Sequence, residues 1–572
     1  MVGKPGRCVI LEQFLVDGMH YMFGNPGTSE EGFLDALRNY PALQYILTLQ
    51  ESVAVMMADG YARATQTPAL VQLHSTPGLG NGIGALYQAK RGHSPLVVIG
   101  GDAGIKYQAM EAQMAGDLVA MAEPVTKWFT MVMEPSSLLR VLRRAIKIAM
   151  TPPRGPVYVC LPLDILEAPS PEIVQPTSLL DTRALPDEER LKAAAQMLAS
   201  AHKPMIFVGD GIAFSQAQAE LTRVAELLGA EVWEADTGEF NMDYTHPLYQ
   251  GTTGHMFGHY SFPITSKGDV NLVCGTYLLP EVFPRLGNIF AANAKVIHID
   301  LDTDAIAKNY PVDLGLLGDP KVSLARLATI LDEILTSEQR SNAEMRFMRM
   351  TLEKSAKQES ERKTDQQVWN QAPLHFAHVA EVLADYLPED TILFDEALTC
   401  SPALTRYLPP TQPGHYFLTR GGSLGMGIPG AIGAKLAHPN QPVVSVTGDG
   451  AAMYTIQALW TAARYDINAK FIICNNRSYR LLQQNLLAYW QERSMPGHDF
   501  PLSFDLSQPE LHFDQMARSM GVAGIRVEQA REIAPAIQKA LAYEGPFLID
   551  MVLEGDIQPG LIGMEARPSD RP

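Results

Sequence analysis

Apolar residues in this chain gather in short runs, each closed by glycine, asparagine or an acid, and followed by segments whose apolar positions recur every three or four residues. Such runs read as buried strands, and the periodic segments as helices lying against them. The clearest unit predicts a strand over 442–447, a helix over 453–464 and a second strand over 470–474. Further strand runs at 45–51, 156–164, 204–211 and 295–302 extend the alternation over most of the chain. The expected fold class is therefore α/β, in three domains with parallel sheets. A proline-rich stretch from 168 to 187 reads as a surface linker, and 337–367, dense in charge, Met and Gln, reads as a solvated helical connector. The expected boundaries are 1–185, 186–345, a charged linker 346–371, 372–556 and a tail 557–572 over the surface or the site mouth.

Where the strands end, the chemistry starts. Gly448-Asp449-Gly450 closes one apolar run and Asn475-Asn476 closes the next, and open parallel sheets bind ligands at the carboxyl ends of their strands. The Asp449 carboxylate, the Asn476 side-chain oxygen and a backbone carbonyl near Ser478 are hard oxygens, the set that Mg²⁺ takes while diphosphate and water complete its six ligands. Gly448 and Gly450 flank the acid, and Gly450 lets backbone approach phosphate closely. A lone Gly-Asp-Gly is an ordinary strand-to-helix turn; the paired asparagines raise it above that. Gly209-Asp210-Gly211 has no such partner and reads as a plain Rossmann-like turn.

The segment from Gly448 through Tyr479 resembles the thiamine diphosphate (ThDP) signature of 2-keto acid decarboxylases and acetolactate-synthase-like enzymes, and is most similar to the benzoylformate decarboxylase group. The resemblance covers nearly the whole chain and is weakest in the middle. It implies pyrimidine-binding, middle and diphosphate-binding domains, with ThDP and Mg²⁺ as cofactors. It also implies an obligate homodimer, commonly a homotetramer, in which Glu51 of one subunit meets Asp449 and Asn476 of another. Glu51, at the end of the 45–51 run, matches the family acid beside the aminopyrimidine ring. An acid opening a helix also fits plain dipole complementarity; beside the metal motif the catalytic reading is the stronger. Thr28 stands where the family has an active-site serine, and His74 matches a family histidine that handles protons on the substrate. In the glycine-rich segment from Gly421 to Gly433, Gly422 belongs to the cofactor cradle and Leu424 takes the place of the bulky side chain under the bent cofactor, a wedge that enforces near-attack geometry. That segment faintly echoes 78–85, as two similarly folded cofactor-binding domains would.

One departure is plain. The family's second histidine, from the middle domain, aligns with Val282, which argues against an aromatic keto acid as substrate; His255 and His259 are candidate replacements. The resemblance implies 2-keto acid decarboxylation with carboligation as a second outcome. An acetolactate-synthase-like ligase and a 2-hydroxyacyl-CoA lyase are alternatives, and a catalytically silent scaffold is the non-enzyme reading. Composition narrows this only at the edges. With 45 Lys and Arg against 63 Asp and Glu the net charge is −18, which opposes general nucleic-acid binding. No apolar run is long enough to span a membrane. The amino terminus, interrupted by Glu12 and Asp17, is unlike a signal peptide. Five scattered cysteines without metal-ligand spacing read as reduced thiols, so a cytoplasmic protein that takes a small-molecule substrate is expected.

Overall fold

The computed structural model describes residues 3–235, 237–254, 256–278 and 280–555. It contains three six-stranded sheets, parallel throughout. The first holds β1 (Tyr21–Gly24), β2 (Gln44–Leu47), β3 (Ala69–Leu73), β4 (Leu96–Asp102), β5 (Trp128–Met131) and β6 (Val157–Pro162), in the order β2-β1-β3-β4-β6-β5. The second holds β7 (Pro204–Val208), β8 (Glu231–Glu234), β9 (Tyr249–Thr252), β10 (Val270–Cys274), β11 (Lys295–Asp300) and β12 (Leu314–Leu317), in the order β12-β11-β10-β7-β8-β9. The third holds β13 (Ile392–Glu396), β14 (Tyr416–Leu418), β15 (Val443–Gly448), β16 (Lys470–Asn475), β17 (Ala523–Val527) and β18 (Phe547–Val552), in the order β14-β13-β15-β16-β18-β17. Central strands such as β3, β4, β6 and β16 are buried at every residue. Helices cover both faces, so these strands carry unbroken apolar runs instead of alternation.

The first and third sheets share one strand order. Their topologies superimpose strand for strand, yet the glycine-rich echo in the sequence does not mark equivalent elements: 78–85 lies in the helix after the third strand of its sheet and 427–433 in the helix after the second strand of its own. The helix after the second strand is Glu51–Thr65 in the first copy and Gly427–Ala437 in the third. These two helices pack on each other. A Cβ at Gly60 would run into the Gly430 carbonyl oxygen, one at Gly433 into the Met57 carbonyl oxygen, and one at Gly430 into the Phe394 ring. Glycine here serves close packing of backbone on backbone.

Two expectations need correction. The helix expected over 453–464 is two helices, Asp449–Thr455, which starts at the acid itself, and Ala458–Arg464. The boundary expected at 345/346 falls inside one continuous helix, Ser337–Gln366. Thr336 and Gln339 form its capping box, and the charge-rich stretch beyond 345 carries the same helix on.

A buried ionic joint ties the three sheets. Arg63 donates through Nε to Glu239 at 2.7 Å and through Nη2 to the carbonyls of Gly238 and Leu418, and its guanidinium lies over the rings of Phe394 and Phe417. Arg420 pairs with Asp210 beside it. Gly433→Ala should lower stability by about 1–3 kcal/mol, the usual cost of overpacking. A thermal melt followed by circular dichroism would read this, and an unchanged midpoint would show that the helix pair has slack.

Candidate active site

At the carboxyl edge of the first sheet, the segments after β1, β2 and β3 deliver Asn25, Glu51 and His74. Glu51 opens its helix, yet Gln50 is the cap: its side chain accepts from Val53 N at 3.2 Å. Released from capping, the buried Glu51 carboxylate accepts from Asn25 Nδ2 at 3.2 Å and Asn81 Nδ2 at 3.0 Å. Both donors are neutral amides, so the carboxylate is oriented without being neutralised.

His74 precedes the Ser75–Arg91 helix. Its Nδ1 faces Glu30 Oε2 at 2.9 Å and Ser29 Oγ at 3.3 Å, and Ser29 Oγ also meets Ser75 Oγ at 3.1 Å. Burial pushes the Glu30 carboxyl up, against the opposing pull of Ser29 and His74. Ser75 holds a φ of 45°, a left-handed conformation that a non-glycine residue adopts only under local constraint. Its hydroxyl to Gly101 O and its contact with Ser29 supply that constraint. Thr28 is exposed, and it is the neighbouring Ser29 hydroxyl that reaches His74. The sequence reading passed over Ser29 and Glu30 because the short 3-10 turn Thr28–Glu30 rotates successive side chains to different sides.

The third sheet supplies the other half. Asp449, after β15, is buried; its Oδ1 accepts from Gly450 N at 2.7 Å and its Oδ2 from Arg477 N at 2.6 Å. Burial pushes this carboxyl up to about 7. Asn476 Oδ1 accepts from Ser478 N at 3.0 Å, which turns the Asn476–Ser478 corner toward Asp449. This is a set of hard oxygens around a buried acid that has no cationic partner among the described residues, and it fits a divalent cation. Gly448 faces open space, whereas a Cβ on Gly450 would strike the Tyr479 ring. The need for glycine at 450 is thus the packed tyrosine as much as any phosphate.

Glu396, at the end of β13, went unnoticed in the sequence. Fully buried, it accepts from the backbone N of Gly425 at 2.8 Å, Met426 at 3.0 Å and Gly427 at 2.7 Å, and from Thr447 Oγ1 at 3.0 Å. Burial raises its pKa while these donors lower it. One carboxylate so fixes the loop that carries Leu424, which is half-buried; Gly421, Gly422 and Gly425 turn that loop at φ of 71°, 79° and 102°. The only sequence signal was an acid pair, Asp395-Glu396, closing an apolar run.

Among the described residues no hydrogen bond or ion pair joins the Glu51 group to the Asp449 group. Val282 is 59% exposed, His259 is exposed beside Tyr260, and His255 and the tail 557–572 lie outside the described residues. The Asn475–Ser478 corner leads into the Arg480–Glu492 helix, which buries Gln483 and Trp490 and exposes Gln484 and Tyr489.

Comparison with known proteins agrees with this geometry. Residues 9–121, 191–327 and 397–551 match the N-terminal TPP binding, central and C-terminal TPP binding domains of thiamine pyrophosphate enzymes. Benzoylformate decarboxylase of Pseudomonas aeruginosa is 30% identical over 93% of this chain and 96% of its own length. The chain belongs to the thiamine pyrophosphate enzyme family. A probable acetolactate synthase large subunit of Methanococcus aeolicus is 28% identical over 96% of this chain and 92% of its own. The solved structure of a Rhodococcus jostii thiamine diphosphate-dependent 4-hydroxybenzoylformate decarboxylase has a TM-score of 0.83 at 26% identity, covering 97% of this chain and all of that one. The fold is the ThDP-enzyme fold, and this is a ThDP-dependent enzyme of the decarboxylase and acetolactate synthase family. No helix among the described residues is long and apolar enough to cross a membrane.

The raised Asp449 carboxyl sets a pH dependence. Its folded value, about 7, lies above the ordinary 3.8, so the metal-free fold holds the proton more tightly and loses stability as pH rises from about 4 to about 7. A divalent cation needs the ionised form. The gain in melting temperature on adding Mg²⁺ with ThDP should therefore grow from pH 6 to pH 8; a gain independent of pH would show that Asp449 stays ionised in the free protein.

Proposed function

We propose that the protein uses ThDP and Mg²⁺ to cleave a small aliphatic 2-keto acid, with carboligation of the resulting aldehyde unit as the second outcome. Glu51 carries this reading: it is a buried acid at a helix start, freed from capping by Gln50 and aimed by two asparagine amides. Asp449, Asn476 and the Ser478 carbonyl would hold Mg²⁺ against the diphosphate, with Gly448 and Gly450 beside it. Gly422 and Leu424 would seat the ring system on the loop that Glu396 fixes. When bound, ThDP supplies the carbon nucleophile and holds the electron pair released with CO₂.

The chain's own groups then move protons. Glu51 holds one at the aminopyrimidine nitrogen, which keeps that ring in its reactive tautomer. His74 shares one with Glu30 across Nδ1, leaving its Nε2 edge for the substrate side. Thr28 offers an exposed hydroxyl at the mouth. With Val282 exposed and apolar in place of a second histidine, one proton-transfer partner of an aromatic decarboxylase is missing. Benzoylformate should accordingly be a poor substrate, and smaller aliphatic keto acids or ligation should serve better. Ligation is favoured further by the acetolactate synthase relatives, although at about 30% identity the relatives alone do not separate the two.

The active sites would lie at the interface of a homodimer or homotetramer, as the family resemblance implies, with Glu51 of one subunit meeting Asp449 and Asn476 of another; among the described residues of one chain no hydrogen bond joins Glu51 to either. Product analysis by mass spectrometry, with ThDP, Mg²⁺ and a panel of keto acids, with and without aldehyde or acyl-CoA acceptors, tests the reaction. Efficient benzaldehyde release would overturn the substrate reading. Glu51→Gln should keep cofactor binding and lower kcat by about 10²- to 10⁴-fold, and Asp449→Ala should lose cofactor. Refolding or coexpressing these two dead variants together should restore activity in mixed dimers. A dead mixture despite proven mixing would place each site within one chain. His74→Ala should slow turnover more than it weakens ThDP binding, as steady-state kinetics and calorimetry would show.

A further inference from the structure

Next to Val282 the middle domain holds a buried acid whose carboxyl burial pushes up, against the pull of Ser261 and of its own backbone N–H. Glu281 is 7% exposed, and neither carboxyl oxygen has a hydrogen-bond partner among the described residues. Ser261, fully buried on the Gly258–Thr265 helix, lies within hydrogen-bonding reach of that carboxyl, but its hydroxyl proton is committed to Thr253 O at 2.8 Å. Ser261 Oγ therefore meets Glu281 with lone pairs. The Thr253 hydroxyl, 2% exposed, is likewise without a partner. Tyr310, the other titratable group facing the acid, gives its proton to Arg285 O at 3.2 Å. Beside Ser261 there is room: Gly254 takes a φ of 104°, and a Cβ built there would meet only Ser261 Oγ, at 3.7 Å.

We infer that the Glu281 carboxylate, Ser261 Oγ and the Thr253 hydroxyl bind a monovalent alkali cation, K⁺ or Na⁺. Burial pushes the Glu281 carboxyl up, because an ionised carboxylate in so buried a place is strongly unfavourable without a counter-charge. A water molecule brings two protons to at least three acceptor groups and leaves the charge uncompensated. One alkali cation supplies the missing partner to every oxygen, all of them hard donors suited to it, and makes the site neutral overall; a divalent ion would leave it charged. The consequence is local. The cation fastens segment 253–261 to segment 280–285, which the backbone already pairs through Gly258 N to Phe283 O and Phe283 N to Met256 O, both 2.9 Å. Those segments present the exposed Val282 and Phe283.

The test uses the full-length protein saturated with ThDP and Mg²⁺, so that the other metal site is constant, melted at about 0.15 M ionic strength in KCl, NaCl or choline chloride. Wild type should melt about 2–4 °C higher in KCl or NaCl than in choline. Glu281→Gln should remove that difference, and Thr253→Val should reduce it. Equal melting of wild type in all three salts would overturn the proposal, as would a Glu281→Gln variant more stable than wild type in every salt, which marks a buried neutral acid. Wild-type crystals soaked in thallium(I) give a check free of folding defects: an anomalous peak between Glu281 and Ser261 is expected, and its absence at full substitution overturns the site.

Discussion

Two helices that touch backbone to backbone fix the rest of this molecule. Glu51–Thr65 and Gly427–Ala437 follow the second strand of two sheets with one strand order, and glycines at 60 and 433 let them approach where a side chain would hold them apart. One helix starts at Glu51 and buries Arg63 near its far end; the other begins at Gly427, whose N–H is held by Glu396. Packing these helices therefore sets the positions of a candidate proton-handling acid, an ionic joint to the middle domain and the loop that bears Leu424.

Buried carboxylates are the second organising element, and their surroundings sort them. Glu396 receives four donors and acts as a fixed bracket. Glu51 receives two neutral amides, which aim it. Glu30 is set against an imidazole. Asp449 accepts from the backbone N–H groups of Gly450 and Arg477 and has no cationic partner among the described residues. The pattern follows from the energetics of burial, where a charge must find donors, a counter-charge or a proton.

The middle sheet has the strand order of a dinucleotide-binding fold, with its crevice between β7 and β10. Here that crevice is closed by the chain itself. Gly211 N bonds Gly275 O at 2.9 Å, a Cβ on Gly209 would strike Thr276, and Asp210 accepts from Gly238 N, Glu239 N and Thr237 Oγ1 while pairing with Arg420 from the third domain. The Gly-Asp-Gly turn thus serves as a joint between domains, and the short helix Gly211–Ser215 after it offers little dipole to a phosphate.

Strands, their buried character and the Asp449 and Asn476 corner were legible in the sequence, because each depends on a local run of apolar residues and the polar residue that ends it. Glu51 was legible as a position, yet its freedom from capping depended on Gln50, which only the folded turn reveals. Ser29, Glu30 and Glu396 each act on residues 29 to 51 positions away in sequence, His74, Gly425 or Thr447, and no local pattern records such a meeting. The Ser337–Gln366 helix was legible from its charge-rich composition, whereas the helix break after Thr455 left no local signal. Sequence alone determined which segments are apolar and which polar residues close them; tertiary structure decided which of those closing groups face one another, since burial and hydrogen bonding across strands are set by three-dimensional proximity.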